Sequence, residues 1–123
     1  MPNKRQQYGK ESESIAVRYL KKNGYKIIEQ NYRNQLGEID IIAKDKKSLV
    51  FVEVKARRSG GYGSPKWAVT PKKQRKISMV ALYYLKATKQ NNAKARFDVV
   101  AISSSQTNPR IELIKNAFEL AYG

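Results

Sequence analysis

Apolar residues along the chain follow two different spacings. Over residues 9–22 they recur at helical intervals. Ala16, Val17 and Leu20, with Tyr19 beside them, make one side of a helix, and Gly24 ends it as a left-handed cap. Residues 1–7 (MPNKRQQ) are polar and basic and read as a loose arm ahead of this helix. Residues 25–32 (YKIIEQNY) read as a first strand, and residues 34–37 turn the chain into GEIDIIAKD. A charged turn at residues 45–48 leads on to LVFVEVKAR, so two apolar strands form a hairpin. A second helix starts near Pro71, a favoured first helical residue, and buries Ile77, Val80, Ala81, Tyr84 and Leu85. After a polar linker at 90–94, residues 95–103 (ARFDVVAIS) form another strand. A turn at 104–109, a last strand at 110–114 and a short terminal helix or tail at 116–122 that packs Phe118 complete the chain. Helix, three strands, helix and two strands predict an α/β fold with a mixed sheet between helices. No composition shift or repeat divides the 123 residues, so one domain is expected.

Composition narrows the chemistry. There is no cysteine and no histidine, which removes disulfides, thiolate metal sites, Ser-His-Asp triads and histidine general bases. Hydrolytic chemistry then has to run on carboxylates, lysine, hydroxyls or an oxygen-bound metal. The net charge is +15, from 25 basic and 10 acidic residues. That balance predicts attraction to polyanions, mainly nucleic acid, with binding that weakens steeply as salt rises. The alternatives are a solubilising surface or contact with an anionic membrane, but no basic amphipathic helix dominates the chain. No apolar run approaches the ~20 residues of a membrane span, and the basic N-terminus lacks the apolar stretch of a signal peptide. A cytoplasmic protein is expected.

Against this charge, the hairpin at 37–57 is unusual: it holds four of the ten carboxylates, and three of them, Glu38, Asp40 and Glu53, lie away from its turn. Alternation puts Glu38, Asp40 and Ile42 on one face of the first strand and Leu49, Phe51, Glu53, Lys55 and Arg57 on one face of the second. A two-residue loop at Lys46 and Lys47 sets Asp45 against Ser48, Asp40 against Glu53 and Glu38 against Lys55. Two carboxylates facing each other across an antiparallel pair are destabilising, and burial makes this worse. Protonation, a salt bridge to Lys55, or a divalent cation such as Mg²⁺ or Mn²⁺ would relieve it. With a cation, Lys55 is placed to orient a water or stabilise charge on a phosphate. The plainer reading is a surface charge cluster in which Lys55 pairs with Glu53.

Other residues extend this picture. Glu13 precedes Ala16 and Val17 by three and four residues, which tips it toward the apolar side of the first helix; alternatively Glu13, like Glu11, only favours the helix N-terminus electrostatically. The second helix opens on Lys72, Lys73, Gln74, Arg75 and Lys76. Lys73 and Gln74 edge onto its buried stripe and can point at the sheet. Together with Arg57 and Arg58 these are the candidate nucleic-acid contacts. The loop at 58–70 is rich in Gly, Ser and Pro. Its Tyr62 and Trp67 could stack on bases, although Trp67 as a cover for one end of the core is the favoured reading. A structural ion pair is expected between Arg96 and Asp98.

The acid on the first helix, then Asp, then Glu-x-Lys on adjacent strands resembles the PD-(D/E)xK nuclease superfamily, the restriction-endonuclease-like fold that includes archaeal Holliday junction resolvases. More closely, ESIAVRYLKKNGYKIIEQNYR, GEIDIIAKD, LVFVEVKAR, VTPKKQRKI, RFDVVAI and NAF resemble the YraN-like family of small bacterial proteins over nearly the whole chain. The resemblance implies an α-β-β-β-α-β core with the site at one edge of the sheet. It implies Asp40 and Glu53 as metal ligands for Mg²⁺ or Mn²⁺, Lys55 as the catalytic lysine and Glu13 as the helix acid. Ile39 stands where the superfamily has a proline, and Ser12 where the family usually has a glycine. The resemblance implies a metal-dependent nuclease acting on DNA, including branched or structured DNA. The alternatives are a catalytically silent nucleic-acid-binding module on the same fold, or a protein whose charge addresses an acidic partner. Junction resolvases of this fold act as symmetric dimers, which makes a homodimer an assembly to test for.

Overall fold

One five-stranded sheet receives a helix on each face in the computed structural model, which describes residues 4–57, 69–104 and 109–120. The elements run α1 (Lys4–Lys22), β1 (Lys26–Asn34), β2 (Gly37–Asp45), β3 (Ser48–Arg57), α2 (Pro71–Ala87), β4 (Ala95–Ser104) and β5 (Pro109–Phe118). The spatial order is β1-β2-β3-β4-β5. Neighbours are antiparallel except β3 and β4. That parallel pair needs a crossover, and α2 lies within it.

Alternation along β3 explains the two cores. Val50 and Val52 join Ala16, Val17 and Leu20 of α1, together with Ile41, Ala43, Val100 and Ile102. Leu49 and Phe51 join Ile77, Val80, Ala81, Tyr84 and Leu85 of α2, together with Ile42 and Phe97. Because the central strands are covered on both faces, they read as nearly continuous apolar runs. The expected stripe on α2 is buried throughout. Aromatic rings run through the second core, from Tyr32 to Tyr84 to Phe51 to Phe97, with adjacent centroids 5.1, 5.8 and 5.6 Å apart.

The local signals at the helix ends act as expected. Gly24 has φ +89°, and the Tyr25 amide donates to the Leu20 carbonyl at 2.9 Å, closing α1. At the other helix, Thr70 caps α2 by accepting from the Lys73 amide at 3.1 Å, ahead of Pro71. Gly37 has a different role. It brings the start of β2 so close to α2 that a Cβ there would lie 3.1 Å from Val80 Cγ2.

Two expectations are corrected. The stretch read as an arm at 1–7 is helical from Lys4, since Lys, Arg and Gln are good helix formers. The terminal helix or tail read at 116–122 is strand through Phe118. A bulge opposite Phe97 to Val99, with Asn116 at φ +53°, lets β5 continue until Phe118 stacks on Phe97 at 4.9 Å. The packing of Phe118 is as expected; its backbone conformation is not. Tyr62, Trp67 and Arg58 lie outside the described residues. Among the described residues no helix is long and apolar enough to cross a membrane.

Arg96 and Asp98 form the expected ion pair, Nε to Oδ1 at 2.8 Å, as part of a larger network. The fully buried Asp98 also accepts from Tyr25 Oη at 2.7 Å, Arg96 Nη2 at 2.9 Å and the Asn116 amide at 2.9 Å. Arg96 Nη2 reaches on to Asp45 at 2.9 Å, which ties the hairpin turn to β4.

Candidate functional site

The hairpin closes as its pattern requires and then departs from it. Lys46, at φ +56°, and Lys47 make a two-residue loop, and Asp45 pairs with Ser48. Pairing continues in that register as far as Ile41 with Val52. One more step would set Asp40 against Glu53. Instead the Asp40 carboxylate accepts a hydrogen bond from the Val54 amide at 2.9 Å, so a side chain replaces the backbone ladder where β2 and β3 part.

The reason lies in a local irregularity that alternation does not anticipate. Ile41 and Ala43 face α1 while Ile42 faces α2, yet Ile39 also packs on the α2 side. Strict alternation would have put Ile39 with Ile41, so β2 changes its facing at Asp40. Across from this point, between the Gln30–Ile41 and Tyr32–Ile39 pairs, Asn31 of β1 has φ +54°. Asparagine tolerates this left-handed conformation better than most side chains. The consequence is that Glu38 and Asp40 do not share a face with Ile42, and Glu38 is not set against Lys55 in the ladder. Both acids gather with Glu13 of α1: one carboxylate oxygen from each of Glu13, Glu38 and Asp40 lies within 4.8 Å of the others. Glu13 is thus on the sheet side of its helix, and the Asn31 side chain hydrogen-bonds to it.

Glu53 approaches from the α2 side. It is 8% exposed, and Lys73 Nζ of α2 stands 4.0 Å from its Oε1. The two faces of the sheet therefore meet at Asp40, which feels Glu38, Lys73 and Lys55 together. A cleft of about 730 Å³ opens over this point, with Gly9, Lys10, Ser12 and Glu13 on one wall and Val54, Lys55 and Ala56 on the other. Glu38 sits at its rim, bridged by Arg33 Nε at 2.8 Å.

Crowding of like charge under partial desolvation has a measurable effect. Burial, then the Asp40 charge, pushes the Glu53 carboxyl up to about 7, against opposing pulls from Lys73 and Lys55. Burial likewise raises Asp40 and Glu13. A carboxyl whose pKa is raised by folding stabilises the fold fully below its unfolded value, near 4.5, and loses that contribution as pH rises through about 7. Metal-free protein should therefore lose up to about 3 kcal/mol of stability between pH 5 and pH 8. Without histidine, few other side chains titrate in that window. Urea denaturation in EDTA checks this: the wild type should show the decline and Glu53→Gln a flatter profile. A flat wild-type profile would contradict the crowded, desolvated cluster.

The remaining expected contacts divide. Lys72, Arg75 and Lys76 are exposed on α2, open to an anionic partner. Half-buried Lys73 and Gln74 point inward, as their spacing indicated. Lys73 turns to Glu53, and Gln74 Nε2 donates to the Val69 carbonyl at 3.0 Å. Arg57 ends β3, close in sequence to Lys55. Glu38, Asn31 and Arg33 are among the lining residues that were not expected at the site. Glu38 carried a signal, its position two residues before Asp40 in one strand, but register counting assigned it to Lys55.

The donor set available to a metal is all oxygen, which suits a hard divalent cation and no soft one. Whole-chain comparison finds relatives along nearly the full length of the chain. A UPF0102 protein of Desulfosudis oleivorans is 57% identical over 97% of this chain and 95% of its own length. One from Syntrophus aciditrophicus is 56% identical over 94% of this chain and 91% of its own length. A third, from Geobacter sulfurreducens, is 54% identical over 93% and 90%. The profile of the family described as "Uncharacterised protein family UPF0102" matches residues 12–102, a span that carries Glu13, Glu38, Asp40, Glu53 and Lys55. The chain belongs to the UPF0102 family.

Proposed function

We propose that this protein is a metal-dependent nuclease that hydrolyses phosphodiester bonds in DNA. The observation that carries the reading is the convergence of Glu13, Glu38 and Asp40 with Lys55 in an open cleft of a protein with net charge +15, with the buried Glu53 carboxyl feeling the Asp40 charge. A structural role explains such a set poorly. Gathering carboxylates where they are partly desolvated destabilises the fold unless something cationic joins them. The likeness to PD-(D/E)xK nucleases supports the same assignment.

Asp40 is common to both candidate ligand groups, Glu13–Glu38–Asp40 and Asp40–Glu53, and would hold Mg²⁺ or Mn²⁺ with its neighbours. When bound, such an ion supplies Lewis-acid chemistry at a phosphodiester. The chain's own residues do the rest. Val54 fixes the Asp40 carboxylate through its amide. Lys73 favours the ionised form of Glu53, the form able to bind a cation. Lys55, lining the cleft, offers an ammonium to the phosphate as negative charge builds on it. Lys72, Arg75 and Lys76 contact flanking phosphates without reading sequence.

A second reading, a binding module without turnover, draws on the Lys73–Glu53 pair, because an ammonium at 4.0 Å already part-neutralises the acid. Incubation with single-stranded, duplex and four-way-junction DNA, with and without Mn²⁺, separates the two. The nuclease reading expects metal-dependent cleavage that Asp40→Ala removes. The binding reading expects salt-sensitive association indifferent to metal and to Glu53.

A further inference from the structure

We infer that Gly9 is the point at which the sugar–phosphate backbone of a bound nucleic-acid strand lies directly against α1; this rests on the nuclease reading of the cleft. Gly9 lies well inside α1 (Lys4–Lys22), where glycine is the costliest residue apart from proline. The usual reasons for a helical glycine are missing. Its backbone is not in the positive-φ region that Gly24 and Gly37 occupy. Nor does packing require it, because among the described residues a Cβ at this position would meet nothing within 4 Å. Among the described residues Gly9 faces open space, and it lines the cleft.

Its place in the cleft gives the open space a use. Gly9 is four residues before Glu13, so the two share a face of α1, one turn apart. Helical side chains lean toward the N-terminus, which carries Glu13 back toward the turn that contains Gly9. A side chain at position 9 would stand beside the acidic cluster on the line by which a strand reaches it. Lys10 next to it and Lys55 on the facing wall supply positive charge along the same path, and Val54 and Ala56 keep that wall small and apolar. A phosphodiester chain matches this combination: an anionic backbone that needs close approach, flanked by ammonium groups.

The test is Gly9→Ala, with Gly9→Val as the larger variant. Each is assayed for thermal stability and for fluorescence anisotropy with labelled single-stranded and duplex oligonucleotides in Ca²⁺. If Gly9 has no ligand role, alanine only improves the helix, raising Tm by about 2–6 °C with binding unchanged. The inference expects the same rise in Tm together with binding weakened at least about fivefold, and more for valine. Equal binding by wild type and both variants overturns the role of Gly9 and leaves the nuclease reading standing. Absence of binding by the wild type overturns both.

Discussion

Asp40→Asn should lower metal-dependent cleavage by about a hundredfold or more while leaving the protein folded. Among the described residues Asp40 joins the parts of the site: it shares the cluster with Glu13 and Glu38, interacts with the Glu53, Lys55 and Lys73 charges, and holds the Val54 amide. Asparagine retains an oxygen for that amide but loses the charge a cation needs. Glu53→Gln and Lys55→Met should each lose a comparable factor, and for Lys55 the loss should fall on kcat, since its ammonium matters most as charge develops on the phosphate. Glu38→Gln divides the two candidate ligand sets. A loss as large as that of Asp40→Asn assigns the ion to the Glu13–Glu38–Asp40 group; a small loss assigns it to Asp40 and Glu53. Cleavage assays at matched folded fraction check the series, and activity that survives Asp40→Asn would remove the site.

Asp98→Ala should cost about 3–5 kcal/mol of stability, a large part of what a domain of this size possesses. Asp98 is fully buried and accepts hydrogen bonds from Tyr25, Arg96 and the Asn116 amide. Alanine strands those donors and leaves Arg96 with Asp45 as its remaining ion-pair partner. The Asn116 amide is a further loss, because it anchors the bulge that carries β5 on to Phe118. This network gathers toward the hairpin turn, whereas the acidic cluster lies where the hairpin opens. Urea denaturation should therefore show the loss while DNA cleavage per folded molecule is retained. A change under about 1 kcal/mol would mean the donors find other partners readily.

Much of this architecture was legible because each signal acts locally. Pro71 and the Ile77–Val80–Ala81–Tyr84–Leu85 stripe specify α2 without reference to the rest of the chain. The hairpin register follows from a two-residue loop and alternation, and it holds from Asp45–Ser48 back to Ile41–Val52. It fails at Asp40, at the candidate site. A positive φ at Asn31 and a change of facing in β2 are single-residue events, and a period-two pattern has no means of showing them. That is why Glu38 was assigned across from Lys55 when it belongs beside Glu13. Glu13 itself was half legible: spacing put it toward the apolar side of α1, but a helix alone cannot show what lies opposite. The C-terminal strand was misread because its continuation depends on Phe97 and Asp98 in another element.

A nuclease of this kind needs a cation at Asp40, and anomalous diffraction from crystals soaked in Mn²⁺ measures this directly. It predicts a peak about 2.1 Å from an Asp40 carboxylate oxygen, shared with Glu13, Glu38 or Glu53. A map with no peak at Asp40, and Lys73 closed onto Glu53 at hydrogen-bond distance, would contradict it.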